Sequence, residues 1–195
     1  MEAECMTDRV SALDGHMKRG VYGAAGTPGV IVEEVHLAML FQLATWPETH
    51  LKAGKIMAKF VEVHGVPGPG GVKTSEKGEL LSIDPTKWWV ISDQEKLTIP
   101  SVPIKTGVSL DLSNTRTWLR IRGAKADLLL GHFLPLDFRK NKFLKDHVAS
   151  TGFHHIGVTV WRAKDGFNLL LPRSFALALW ELLEACAHQY GLEVV

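Results

Sequence analysis

The chain has 195 residues, 46% of them hydrophobic and 22% charged, which is a globular composition long enough to bury a real core as one domain or as two joined half-domains. Its 22 basic and 21 acidic residues leave no net field to recruit nucleic acid, an anionic membrane or a strongly charged substrate. The apolar runs are too short to cross a bilayer.

The start, MEAECMTDRVSALDG, is too polar and acidic for a signal-peptide core. Cys5 in this arm and Cys186 in a helical pattern do not make a disulfide framework. The expected location is the reducing cytosol. Residues 1–33 hold Gly15, Gly20, Gly23, Gly26, Pro28 and Gly29 but few large apolar side chains, so they cannot form their own core. They read as an extended Gly-rich arm, either mobile or laid on a partner, whose removal through residue 30 leaves the domain folded.

The domain itself is expected over residues 34–195. VHLAMLFQLATW, residues 35–46, fits either a strand or a buried helix. Ala53, Ile56, Met57, Phe60 and Val61 recur at helical spacing, with Gly65 and Pro67 as the stop. VPGPGGVKTSEKG is a loop. ELLSI and KWWVIS are two strands around the turn Asp84-Pro85-Thr86. The first half is thus β-α-β-β, ending near residue 105.

The second half runs over residues 106–195. In RTWLRIR, residues 116–122, Thr117, Leu119 and Ile121 alternate with Trp118, Arg120 and Arg122, which predicts a half-buried strand with one charged face. GAKADLLLGHFL is a short helix, Pro135 to about Gly152 a loop, and HIGVTVWR and FNLLLP two further strands. In the last helix Phe175, Leu179, Leu182, Leu183, Cys186 and Tyr190 line one face. Ser174 is its natural N-cap and Gly191 its stop. The two halves share a β-α-β-β(-α) order, so the fold class is α+β, with helices packed on antiparallel sheets.

Candidate chemistry is sparse. His154 and His155 are the obvious metal suspects, but neighbours on a strand point to opposite faces, and no second cluster with ligand spacing accompanies them. Asp165-Gly166 between two apolar strands reads as a type I′ hairpin pair. Arg173 stands at a helix start, where the macrodipole disfavours a cation. A carboxylate of this chain or of a neighbouring subunit would satisfy it.

GVPGPGG lacks the lysine and serine of a phosphate loop, and there is no GxGxxG, GxSxG or HExxH. Neither cysteine has a companion base. The six tryptophans carry more information. Trp88 and Trp89 put one indole on each face of a strand, and Trp118 shares a face with Arg120 and Arg122. This is either interface hot-spot chemistry or the edge of a core.

A resemblance to a known family rests on DLSNTRTWLRIRGAKADLLLGHFLPLDF and TGFHHIGVTVWRAKDGFNLLLPRSFALALWELLEACA. Asp111, Ser113, Arg116, Thr117 and Arg120 match an Asp-x-Ser-x-x-Arg-Thr-x-x-Arg strand, and Gly123 and Ala126 the helix that follows. Pro135, Leu136 and Asp137 match a Pro-Leu-Asp segment, and Arg173, Ser174, Phe175, Ala176, Leu179 and Trp180 the closing Arg-Ser-Phe-Ala-x-x-Leu-Trp. Upstream, GVYGAAGTPGVIVEEVHLAML and IDPTKWWVIS match more loosely. The chain in these respects resembles the gamma subunit of heterotetrameric sarcosine oxidase, whose fold is similar to the folate-binding domain of the glycine-cleavage aminomethyltransferase.

The resemblance implies a non-catalytic assembly subunit of a complex that demethylates sarcosine to glycine. FAD, FMN, NAD, tetrahydrofolate and zinc would sit in the other subunits. Partners would be the alpha, beta and delta subunits, mainly alpha, and no catalytic, cofactor-binding or metal-ligating residue is expected in this chain. Two alternatives remain open: an equivalent subunit of a related N-methyl amino-acid oxidase or dehydrogenase complex, and a stand-alone folate-binding protein. The latter would need an acidic residue facing the pterin, and Asp111 and Asp137 are the matched carboxylates.

Overall fold

Along the strand Lys87–Ser92, Trp88 and Val90 enter one core while Trp89 and Ile91 enter another. The same division holds over Gly166–Pro172, where Leu169 and Leu171 go one way and Leu170 the other. Strands apolar on both faces need cover on both faces, and the molecule supplies it in four layers. The computed structural model describes residues 10–94, 97 and 100–195.

The elements in chain order are β1 Gly20–Tyr22, β2 Val30–Val35, β3 Met39–Thr45, α1 His50–Phe60, β4 Val72–Thr74, β5 Glu79–Asp84, β6 Lys87–Ser92 and β7 Gly107–Asp111. There follow β8 Arg116–Arg122, α2 Ala126–Gly131, β9 Val148–Phe153, β10 Ile156–Arg162, β11 Gly166–Pro172, α3 Ala176–Ala187 and β12 Leu192–Val194. They form a seven-stranded sheet, β1-β12-β2-β8-β11-β10-β9, and a five-stranded sheet, β4-β5-β6-β3-β7. All pairings are antiparallel except β12 with β2. Helices α2 and α3 cover the outer face of the larger sheet, α1 covers the outer face of the smaller, and Leu40, Leu81, Trp89, Trp118, Trp161 and Leu170 fill the space between.

The fold is α+β, and its two halves repeat. The run β9-β10-β11-β8-β2 has the order of β4-β5-β6-β3-β7, and a helix follows the lead strand, β8 or β3, in each half. The flanking strands are exchanged: β2 precedes β3 in sequence but pairs with β8, and β7 precedes β8 but pairs with β3. Each half therefore completes the other's sheet.

Several local expectations change. The described part of the Gly-rich segment, 10–33, packs on this chain's own larger sheet through β1 and β2, and Leu13 is 1% exposed in the core beneath α2 and α3. Removal through residue 30 would take away a core side chain and a strand. Residues 1–9 lie outside the described residues. The stretch 35–46 resolves as strand β3 from Met39.

Helix α1 ends at Phe60, before Gly65. Glu62 takes a left-handed φ of 56°, Glu62 N donates to Lys59 O and Val63 N to Ala58 O, the Schellman pattern with glutamate in the glycine position. Residues Val148–Phe153, expected within a loop, are strand β9.

Ser174 does not cap α3, because a single 3-10 turn, Arg173–Phe175, precedes the helix with no side-chain cap. The buried face of α3 is Ala176, Leu179, Trp180, Leu183 and Ala187, while Phe175 and Leu182 face outward. No helix among the described residues is long and apolar enough to cross a membrane.

Candidate functional site

His154 and His155 form the two-residue connection between β9 and β10, where Phe153 pairs with Ile156. They lie in a turn, not on a strand. His154 has a φ of 53°, a conformation histidine tolerates better than most non-glycine residues, and its ring meets the edges of Phe133 and Phe153. No group of three or more His, Cys, Asp or Glu that could hold a metal ion occurs among the described residues.

The Asp165-Gly166 turn is not type I′, since neither residue has a positive φ. Lys164 and Asp165 make the tip, with Ala163 N donating to Gly166 O at 2.9 Å. Glycine is needed for approach: a Cβ at Gly166 would stand 2.2 Å from Ile121 O and 3.0 Å from Arg122 Cα on β8. Among the described residues Arg173 finds a backbone carbonyl, its Nη2 donating to Val10 O at 2.6 Å.

The two carboxylates held for a folate-type site are committed elsewhere. Asp111 Oδ1 accepts from Ser113 N at 2.9 Å and from Ser113 Oγ at 2.6 Å. Asp137 is locked to Arg139 through Nε and Nη2, whose hydrogen bonds lower its pKa to about 2. Cys186 is a free thiol whose sulfur accepts from Gln189, and Cys5 lies outside the described residues.

Trp89 is 6% and Trp118 3% exposed, so the face read as an outer surface is the space between the sheets. Trp46 is the exposed indole, at 54%. It follows β3 two residues after Ala44, which pairs with Val108 of the edge strand β7. Val108 and Leu110 of that strand are half exposed.

A site the sequence reading passed over lies where the sheets meet. Glu79 begins β5 in the smaller sheet, and Trp161 of β10 in the larger sheet donates its indole N–H to Glu79 Oε2. Beside them Trp118 Nε1 donates to Asn168 Oδ1 at 3.0 Å. The two indoles are 6.0 Å apart, and Arg120 lies over Trp118.

Of these groups Glu79, Asn168 and Arg120 line a cleft of about 420 Å³ that Lys145, Arg162 and Lys164 also line. Glu79 is partly exposed as a residue, but its carboxyl end is withdrawn from water. Burial raises its pKa to about 7, with the Trp161 hydrogen bond and the Arg120 charge opposing and Asp93 adding to the rise. Near neutral pH it is therefore both a donor and an acceptor of hydrogen bonds.

The layered, duplicated α+β architecture defines a class of fold that also occurs in solved proteins. A chain of heterotetrameric sarcosine oxidase from Corynebacterium sp. U-96, solved in complex with pyrrole 2-carboxylate, matches at a TM-score of 0.72 and 23% identity, over 96% of this chain and 99% of that one. The glycine cleavage system aminomethyltransferase T from Bartonella henselae matches at 0.56 and 14% identity, over 86% of this chain and 48% of that one.

No family model matches the sequence. Curated aminomethyltransferases of Thermoanaerobacter sp. (strain X514) and Thermoanaerobacter pseudethanolicus are 30% and 29% identical over 86 residues, 43% of this chain. That stretch is 23% of each relative's length. The shared fold thus spans nearly all of the oxidase neighbour's chain and about half of the Bartonella aminomethyltransferase's chain.

Proposed function

We propose that this chain is a non-catalytic, assembly-stabilising subunit, of the gamma type, in a heterotetrameric sarcosine oxidase complex that oxidatively demethylates sarcosine to glycine. The observation that carries this reading is the end-to-end match with the oxidase chain, 96% of one against 99% of the other. In this reading the alpha, beta and delta subunits hold FAD, FMN, NAD, tetrahydrofolate and zinc, this chain holds none, and the complex works in the cytoplasm. The described candidate residues support it, because Asp111, Asp137, Asp165 and Arg173 are each bound into a turn, crossover or strap of the fold.

The surface offered to a partner, chiefly the alpha subunit, is the edge of β7, unpaired among the described residues, with Val108, Leu110 and Trp46. Exposed aromatic and aliphatic side chains beside an open strand edge are suited to docking. The experiment is co-purification of the tagged chain from its own cell. A flavin-containing partner with N-methyl amino-acid oxidase activity is expected, and its substrate identifies sarcosine or a related N-methyl amine. Isolation of the chain alone would overturn the reading.

The aminomethyltransferase similarity over 86 residues favours a second reading, a stand-alone folate-binding protein. Titrating the isolated chain with tetrahydrofolate separates the two. Saturable binding accompanied by no co-purifying subunit would establish the second.

A further inference from the structure

The cleft at Glu79 has a charge pattern that its structural role does not explain. Its wall carries four cations, Arg120, Lys145, Arg162 and Lys164, against two carboxyls, Glu79 and Asp165. Arg120 is 3.9 Å from Glu33 and Asp165 is 3.7 Å from Arg122, so with these two pairs set aside Lys145, Arg162 and Lys164 stand against Glu79 alone, which is half neutral near pH 7, an excess of at least two positive charges. Neither Lys145 nor Lys164 has a carboxylate partner among the described residues.

The cations and the floor are fixed in different ways. Arg162 is held by Nε to Phe143 O at 2.7 Å and by Nη2 to Phe138 O at 2.6 Å. Its charge therefore points where the fold sets it. The lysines stand on exposed loops and can close on a ligand from the rim. Below them, the Asn168 side chain is buried with its oxygen fixed by Trp118, and Glu79 Oε2 is fixed by Trp161. An adjoining cleft of about 620 Å³ shares Lys145 and residues 162–165 and adds Lys140 and the rings of Phe138 and Phe167. There is room for an organic body behind a charged head.

We infer that this cleft is a binding site for a small doubly charged oxyanion, gripped at the rim by Lys145 and Lys164 and at the floor by the Asn168 amide and the Glu79 carboxyl. The shared chemistry is that of a phosphoryl or sulfuryl group and of a dicarboxylate. An anion placed beside ionised Glu79 would be repelled, whereas protonated Glu79 presents an O–H donor. Binding therefore takes up a proton. The charged groups around Glu79 are Arg120 from β8, Asp93 beyond β6, and Lys145, Arg162, Lys164 and Asp165 around the cleft.

The test uses the full chain and follows the indole N–H resonances of Trp161 and Trp118 during titration with sulfate, with succinate, and with sodium chloride as the ionic-strength control. Saturable shifts with sulfate or succinate, absent with chloride, are expected. With Glu79 titrating near pH 7, affinity is roughly tenfold tighter at pH 6 than at pH 8. Lys145→Gln with Lys164→Gln weakens it at least tenfold while leaving the ligand-free indole positions unchanged, and Glu79→Gln binds with the pH dependence removed.

Preference for sulfate assigns a phosphoryl- or sulfuryl-type ligand, and preference for succinate a dicarboxylate. The inference is overturned by shifts that follow ionic strength alone, or by a double-lysine variant that titrates like the parent chain. Because no other subunit is involved, its failure leaves the assembly reading untouched.

Discussion

Leu40 donates its backbone N–H to Ser113 Oγ at 3.0 Å and accepts from Leu112 N at 2.8 Å. These bonds join the two places where the chain passes from one sheet to the other. Asp111 orients the Ser113 hydroxyl by accepting from it, so the matched Asp-x-Ser pair is a clasp for the strand exchange.

Ser113→Ala removes the acceptor from the Leu40 N–H, which lies in a fully buried residue. Leaving a buried donor unmatched costs about 1–3 kcal/mol. Urea unfolding followed by tryptophan fluorescence is expected to show a lower midpoint at unchanged slope. An unaltered midpoint would mean the clasp contributes nothing to stability.

Glu79 makes stability depend on pH in a defined direction. Its folded pKa of about 7 lies above the ordinary value of 4.5, so between these pH values the folded state holds more proton than the unfolded one. Stability therefore falls as pH rises through that window, by at most roughly 3 kcal/mol from this group. Thermal unfolding from pH 5 to pH 8 should show the decline. Glu79→Gln should flatten it and be the more stable chain at pH 8.

Neither Glu79 nor the fate of the tryptophans was legible in the sequence, for one physical reason. Strand alternation shows which residues share a face, as Trp118 does with Arg120, but not whether a second sheet covers that face. Cover comes from residues far away: Glu79 meets Trp161 at a separation of 82 residues, and as the first residue of an apolar strand it looks like any solvated glutamate. The helix α1, the hairpins β5-β6 and β10-β11 and the two-half order were readable because each rests on local periodicity or a turn. The exchange of β2 and β7 between sheets leaves no local trace.

Gly166 and Gly157 make a matched pair on adjacent strands. A Cβ at Gly166 collides with the backbone of β8, while at Gly157 nothing lies within 4 Å. Gly166→Ala is expected to cost about 1–3 kcal/mol through forced separation of β11 from β8. Gly157→Ala should be neutral or slightly stabilising, since it restricts the unfolded chain. Denaturation of the two variants side by side checks this, and equal effects would show that close approach is not why glycine stands at 166.

The N-terminal segment has to be divided before its role in assembly can be measured. Leu13 is a core residue at 1% exposure, β1 pairs with β12, and Gly29 N donates to Tyr190 O at 2.9 Å. Leu13→Ala should cost about 2–5 kcal/mol as an unfilled core position. Deletion of residues 1–30 should lower the melting temperature further still, so any loss of partner binding in that variant would reflect unfolding. Deletion of residues 1–9 preserves Val10, the partner of Arg173, together with Leu13 and β1, and its melting temperature is measured beside that of the full chain. If residues 1–9 wrap a partner subunit, this shorter deletion weakens co-purification at unchanged stability. If docking is confined to the edge of β7, Trp46→Ala with Val108→Asp abolishes it while the deletion has no effect.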